Sequence, residues 1–73
     1  MNNVRKFRIW SEMTRTQLAE NANIAPSTLS DIELERHVPN VYIAINLSRA
    51  LGIDVETLFP PDEYNNFRNA SRK

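Results

Sequence analysis

The chain has 73 residues, of which 41% are hydrophobic and 25% charged, and its nine basic residues balance its nine acidic ones. This length allows one small domain, and the apolar fraction is that of a globular chain. The lack of cysteine excludes disulfides and thiolate metal sites. No apolar run approaches the roughly 18–20 residues of a membrane span, and the basic N-terminus is not followed by a signal-peptide stretch. We therefore expect a cytoplasmic protein that has no membrane contact.

The N-terminal segment predicts a first helix from about Val4 to Glu12, with Asn2 or Asn3 as its N-cap. A second helix begins after Thr14, because Gln17 stands three residues later and completes a capping box. Met13 and Leu18 flank this start at the spacing of a hydrophobic staple. Leu18, Ala19 and Ala22 then share one face of the second helix.

A tight turn and a third helix follow. Asn23 stands where the turn needs a residue that tolerates positive φ, and Ile24 follows it as a buried residue. Ala25-Pro26 opens the third helix, because proline suits the first helical position. This helix is predicted to end near Leu34. Helical spacing directs three residues of this helix to the core, namely Leu29, Ile32 and Glu33. It places four on the opposite face, namely Ser27, Ser30, Asp31 and Leu34.

Two more helices complete the predicted domain. Asn40 caps a fourth helix with the sequence VYIAINLSRAL, and Gly52 ends it as a C′ residue. Its predicted core face comprises Val41, Ala44, Ile45, Ser48 and Leu51. Asp54 caps a short fifth helix, VETLF, which ends before Pro60. The sequence thus predicts an all-α, compact five-helix bundle in residues 1–60, followed by a polar tail of residues 61–73.

Four blocks of sequence carry a family resemblance: QLAE at 17–20, STLSDIE at 27–33, Pro39 with the cap that follows it, and ALGIDVETLF at 50–59. With these blocks the chain resembles the lambda-repressor/Cro-like (Xre-type) helix-turn-helix regulators. The resemblance implies the lambda-repressor-like five-helix fold. It also implies that a recognition helix at about 26–34 enters the major groove of double-stranded DNA.

The resemblance implies a set of DNA-binding residues on the second and third helices and on the loop that follows. These residues are Arg15, Pro26, Ser27, Thr28, Ser30, Asp31, Arg36 and His37. From the sequence alone, small polar residues on a helix are more typical of a solvated face, and it is the resemblance that favours DNA contact. Arg15 is either a phosphate contact or a surface arginine without a partner. No lysine or arginine lies between Arg15 and Arg36, so phosphate affinity would come from the flanks. The resemblance also implies an ion pair between Arg8 and Glu33.

Four positions depart from the family pattern. Arg15 stands where glutamine is usual, and Asn23 replaces the turn glycine. Ala25 replaces the usual Ser or Thr cap, at a cost of about 1 kcal/mol of helix stability. Glu35 replaces a glycine just past the third helix, which predicts strain in the loop and a negative charge near DNA phosphates.

The predicted function is that of a sequence-specific transcriptional regulator of the repressor type. The alternative is a protein-interaction module on the same fold, such as an antitoxin or an antirepressor with a protein partner. An enzyme is not expected, since the chain offers one histidine, no cysteine and no glycine-rich loop, and neither a cofactor nor a metal is predicted.

Self-association is a further expectation. The resemblance implies a homodimer formed through the C-terminal region, with Leu58, Phe59 and the tail as candidates. Four apolar residues have no place in the predicted core, and they either pack in part under the tail or form a partner surface. They are Ile9, Trp10, Tyr64 and Phe67.

Overall fold

A computed structural model describes residues 2–60 of the chain. These residues form five helices: α1 (Val4–Trp10), α2 (Arg15–Ala22), α3 (Pro26–Glu33), α4 (Val41–Leu51) and α5 (Val55–Leu58). No strand interrupts them within that range, so the predicted all-α five-helix bundle is confirmed. None of the helices in residues 2–60 is both long and apolar enough to cross a bilayer.

Side-chain caps start α2 and α4 as predicted. The Thr14 hydroxyl accepts a hydrogen bond from the Gln17 amide at 3.0 Å, and Gln17 Oε1 accepts one from the Thr14 amide at 2.9 Å. Asn40 Oδ1 accepts from the Ile43 amide at 2.9 Å. Each bond satisfies an amide that has no partner within its helix. Asp54 occupies the N-cap position of α5, but its carboxylate makes no capping bond.

The first helix is shorter than predicted. It ends at Trp10, because the chain turns through Glu12, which has a left-handed φ of 60°. Asn3 is the N-cap residue but its side chain makes no capping bond. Instead, Asn2 Oδ1 accepts from the Val4 amide at 3.1 Å.

Left-handed residues end the second and fourth helices. Asn23, with φ 60° and ψ 43°, is the C-cap of α2, and Gly52, with φ 68° and ψ 30°, is the C-cap of α4. Both assignments agree with the predicted turn residues. Glu35 also has a positive φ, of 64°, so the position where the family pattern has glycine does require a left-handed backbone.

The core is formed by all five helices, and α4 packs across α2. Its buried members are Val4, Phe7, Leu18, Ala19, Ala22, Leu29, Ile32, Ala44, Leu47, Leu58 and Phe59. The predicted inner face of α4 was wrong at Val41, which is exposed, and it omitted Leu47, which is fully buried. The buried face of α4 instead comprises Ala44 and Leu47, and Ile43 and Leu51 are partly buried against the core. The first turn of α4 therefore lies outside the core.

The structure also corrects the prediction that Leu58 and Phe59 form dimer contacts. Their side chains are 0% and 8% exposed because they close the protomer's own core, so they are not available to a second protomer. The tail of residues 61–73, the other candidate, lies outside the described residues.

Candidate nucleic-acid interface

The orientation of α3 is fixed by two fully buried side chains, Leu29 and Ile32. Ala25 precedes the helix in an extended conformation, and Pro26 occupies its first turn. Ala25 provides no side-chain cap, so the first turn of α3 leaves its amides without a capping oxygen. The predicted helix start, and the predicted absence of a cap, are both observed.

The outer face of α3 is polar. Pro26 and Ser27 are exposed, and Thr28, Ser30 and Asp31 are partly buried. Within residues 2–60 the polar side chains of this face make no hydrogen bond or ion pair. Their hydroxyl and carboxylate groups are therefore free to bind an external ligand. Leu34, which is predicted on the same face, lies at the C-terminal end of α3 and is 58% exposed.

A buried carboxylate joins the first three helices. Arg8 Nε lies 2.7 Å from Glu33 Oε2, and Arg15 Nε lies 3.2 Å from Glu33 Oε1. The side chain of Glu33 is only 2% exposed, and that of Arg8 is 10% exposed. Arg8 also donates from Nη1 to the carbonyl of Met13 at 2.9 Å. The predicted Arg8–Glu33 pair is thus present, and Glu33 faces inward.

Arg15 also takes part in this network, a contact that the sequence does not predict. Neither of the two roles considered for Arg15 included an intramolecular partner. Its side chain remains 50% exposed, so one edge of the guanidinium binds Glu33 while the rest faces solvent. Two guanidinium groups around one carboxylate leave one net positive charge where α1, α2 and α3 meet.

The N-terminal segment holds the C-terminal end of α3. Asn2 Nδ2 donates to the carbonyl of Ile32 at 2.8 Å, and the Asn2 amide donates to Glu35 Oε2 at 2.6 Å. The Glu35 carboxylate is therefore engaged within the protein. The sequence predicts Asn2 only as a helix cap, and no local pattern indicates a contact with a residue 33 positions away.

A second asparagine secures α2. Asn46 Nδ2 donates to the carbonyl of Ala22 at 3.2 Å, which satisfies an acceptor in the last turn of α2. This bond ties α4 to the helix-turn-helix unit. The sequence gives a weak signal for it, because Asn46 is a polar residue on a helix that is otherwise mostly apolar.

The loop after α3 carries the two remaining predicted contacts. Arg36 and His37 are exposed, and the Arg36 amide donates to the carbonyl of Asp31 at 2.8 Å. This bond holds the start of the loop against the last turn of α3. The backbones of Asp31 and Arg36 therefore meet where α3 passes into the loop.

Two crossed helices, a left-handed residue in the turn and an exposed polar face on the second helix define a helix-turn-helix DNA-binding domain. The helix-turn-helix family model matches residues 4–58. The chain belongs to the lambda-repressor/Cro-like (Xre-type) helix-turn-helix family. It is 37% identical over 55 residues to the immunity repressor protein of Bacillus phage phi105. That match covers 75% of this chain and 38% of the relative, so the chain spans well under half of the relative's length.

Proposed function

We propose that this protein is a sequence-specific, double-stranded DNA-binding regulator of the repressor type, with residues 26–34 in the major groove. The observation that carries the proposal is the outer face of α3. The polar groups of this face have no partner within residues 2–60, and the opposite face of α3 packs in the core through Leu29 and Ile32. A rigid helix with free hydrogen-bonding groups on one face suits base recognition. The similarity to a phage immunity repressor supports the repressor type.

The side chains of α3 suit particular base contacts. Hydroxyl groups such as those of Ser27 and Thr28 both donate and accept, so they pair with several base edges. The carboxylate of Asp31 only accepts when ionised, and it pairs with the amino group of cytosine. Asp31 therefore provides the most discriminating contact that this face offers.

Phosphate contacts would come from the ends of the helix-turn-helix unit. Arg15 has a half-exposed guanidinium at the start of α2, and Arg36 and His37 are exposed after α3. These residues flank α3 in the chain, as expected for groups that place a recognition helix on the DNA backbone. Because Glu33 is neutralised by two arginines, its charge does not repel the phosphates at full strength.

A two-fold dimer would double these contacts, which matters because the chain has no net charge. Each protomer would place one α3 in a half-site of a palindromic operator. Sedimentation in the presence of duplex DNA is expected to give a two-protomer complex. A complex with one protomer at saturating protein would contradict the dimer.

The experiment is a titration of duplex DNA across a salt series. Log affinity is expected to fall steeply with log salt concentration, and Arg15→Ala or Arg36→Ala should reduce that slope by about 1. Arg49→Ala is the matched control, because Arg49 is an exposed arginine on α4, outside the predicted contacts. It should leave the slope unchanged. Failure of the folded protein to bind duplex DNA at low salt would overturn the proposal.

One observation favours a second candidate, a protein-interaction module such as an antitoxin or an antirepressor. Four large apolar residues near the end of α3 and the start of α4 are between 58% and 76% exposed. They are Leu34, Val38, Val41 and Tyr42. An apolar surface of this kind is typical of protein partners. Loss of partner binding in Tyr42→Ser, with DNA binding unchanged, would separate the two functions.

A further inference from the structure

The outer face of α1 exposes two large apolar side chains side by side. Trp10 is 75% exposed and Ile9 is 52% exposed. Together with Lys6 and Glu12 they line an open cleft of about 370 Å³. We call these four residues the α1 surface. Exposed apolar side chains that lie side by side and line a cleft are typical of an interaction site.

The indole of Trp10 is supported from one side only. Its ring centroid lies 5.7 Å from that of Phe7, at an interplanar angle of 41°. Phe7 is 9% exposed and belongs to the core, and the Lys6 ammonium lies 5.6 Å from the centre of its ring. The rest of the indole is exposed to solvent, so Trp10 presents an apolar surface.

The described part of the chain ends close to α1. The Asn3 amide donates to the carbonyl of Leu58 at 2.7 Å, and Asn3 Nδ2 donates to the carbonyl of Thr57 at 2.8 Å. These bonds place the end of α5 against the start of α1. The described residues therefore end near the N-terminal end of the helix that carries the α1 surface.

The length of the tail suffices to reach Trp10. The seven residues from Asn3 to Trp10 span about 10 Å along a helix. Phe67 follows Pro60 by seven residues, which reach up to about 23 Å in an extended chain. Tyr64, at four residues, reaches about 13 Å on the same basis. Both reaches exceed the length of the helix, so the tail is long enough for either aromatic residue to contact the α1 surface.

The order of charges in the tail matches that along α1. The acidic residues Asp62 and Glu63 come first, as the chain leaves the domain, and Arg68 follows the aromatic residues. On α1 the cationic Lys6 precedes the apolar pair, and the acidic Glu12 follows it. A tail that runs in the same direction as α1 would thus pair opposite charges at both ends of the apolar contact.

We propose that residues 61–73 of the same chain bind the α1 surface, with Tyr64 and Phe67 covering Trp10 and Ile9. Covalent attachment through a short connection gives the tail an effective concentration in the millimolar range, so a modest apolar contact is enough to hold it. The outer face of α3 is left open for DNA by this arrangement, because the contact uses only α1.

Trp10 is the only tryptophan of the chain, so its fluorescence reports on this surface alone. In the 73-residue chain we expect Trp10 to be partly protected from acrylamide. Phe67→Ser should shift its emission to longer wavelength and raise its quenching constant about twofold, because an aromatic ring that covers the indole is lost. Asn65→Ser is the matched control, since it changes a polar neighbour in the tail, and it should leave both quantities unchanged.

Charge exchange and dilution complete the test. Asp62→Lys should raise quenching, and Lys6→Asp in the same molecule should restore protection, because the pair is re-formed with its signs reversed. Protection that is independent of protein concentration supports binding within one chain. Protection that disappears on dilution would assign the contact to a second copy and overturn the proposal. Equal quenching in the wild type and Phe67→Ser would also overturn it.

Discussion

Glu33→Ala gives the sharpest test of how the helix-turn-helix unit is held together. The substitution leaves Arg8 without its carboxylate partner in a site where the Arg8 side chain is 10% exposed and that of Glu33 is 2% exposed. Breaking a buried ion pair by removing one partner costs about 3–5 kcal/mol. Arg8 keeps its bond to the Met13 carbonyl, and Arg15 is half exposed, so the lower end of this range is expected.

The magnitude is large for a domain of this size. At about 0.05–0.15 kcal/mol per residue, a chain of 73 residues has a free energy of unfolding of about 4–11 kcal/mol. A loss of about 3 kcal/mol is therefore a large fraction of the total stability. Urea unfolding followed by circular dichroism measures it, with the midpoint shifting and the slope unchanged.

Two further variants separate the contributions to this site. Glu33→Gln keeps the shape and one acceptor oxygen, and it should lose about 1.5–3 kcal/mol. Arg15→Ala removes only the half-exposed partner, and it should lose about 0.2–1 kcal/mol. The expected order of destabilisation is thus Glu33→Ala, Glu33→Gln, Arg15→Ala. A Glu33→Ala variant within about 0.5 kcal/mol of the wild type, the range of neutral surface changes, would show that the buried carboxylate does not stabilise the fold.

Two other predictions concern helix ends. Thr14→Ala removes the capping box and should cost about 0.5–2 kcal/mol in urea unfolding, whereas Thr16→Ala, an exposed change in the same helix turn, should cost less. An equal loss in both variants would show that the Thr14 bond does not stabilise α2. Gly52→Ala should cost about 1–2 kcal/mol, because its φ of 68° disfavours a side chain while no atom lies within 4 Å of the added Cβ. No change in the unfolding midpoint would contradict the left-handed assignment, and a loss well above this range would indicate a steric clash instead.

Local signals predicted the helix-turn-helix correctly. The capping box of Thr14 and Gln17, the left-handed Asn23 and the proline at the start of α3 each depend on residues within a few positions. Such features depend on residues that are close in the chain, so they can be predicted directly from the sequence. The family resemblance added the Arg8–Glu33 pair, which no local pattern contains.

Long-range contacts were not predictable in the same way. The bonds from Asn2 to Ile32 and Glu35, and from Asn46 to Ala22, join residues that are 24 to 33 positions apart. The error at Val41 has a related cause, since helical spacing gives the period of an apolar face but not which residues a crossing helix covers. The participation of Arg15 in the Glu33 network likewise depends on how α2 crosses α3.

Selection from a pool of randomised duplexes tests most directly whether the outer face of α3 reads DNA sequence. The wild-type protein should enrich a defined site, and Asp31→Ala should relax the preference at one base pair in each half-site by about 1–3 kcal/mol. Ser27→Ala should change the preference at a different position. Enrichment of no site by the folded protein, or of the same site with equal stringency by both variants, would contradict the proposed role of α3.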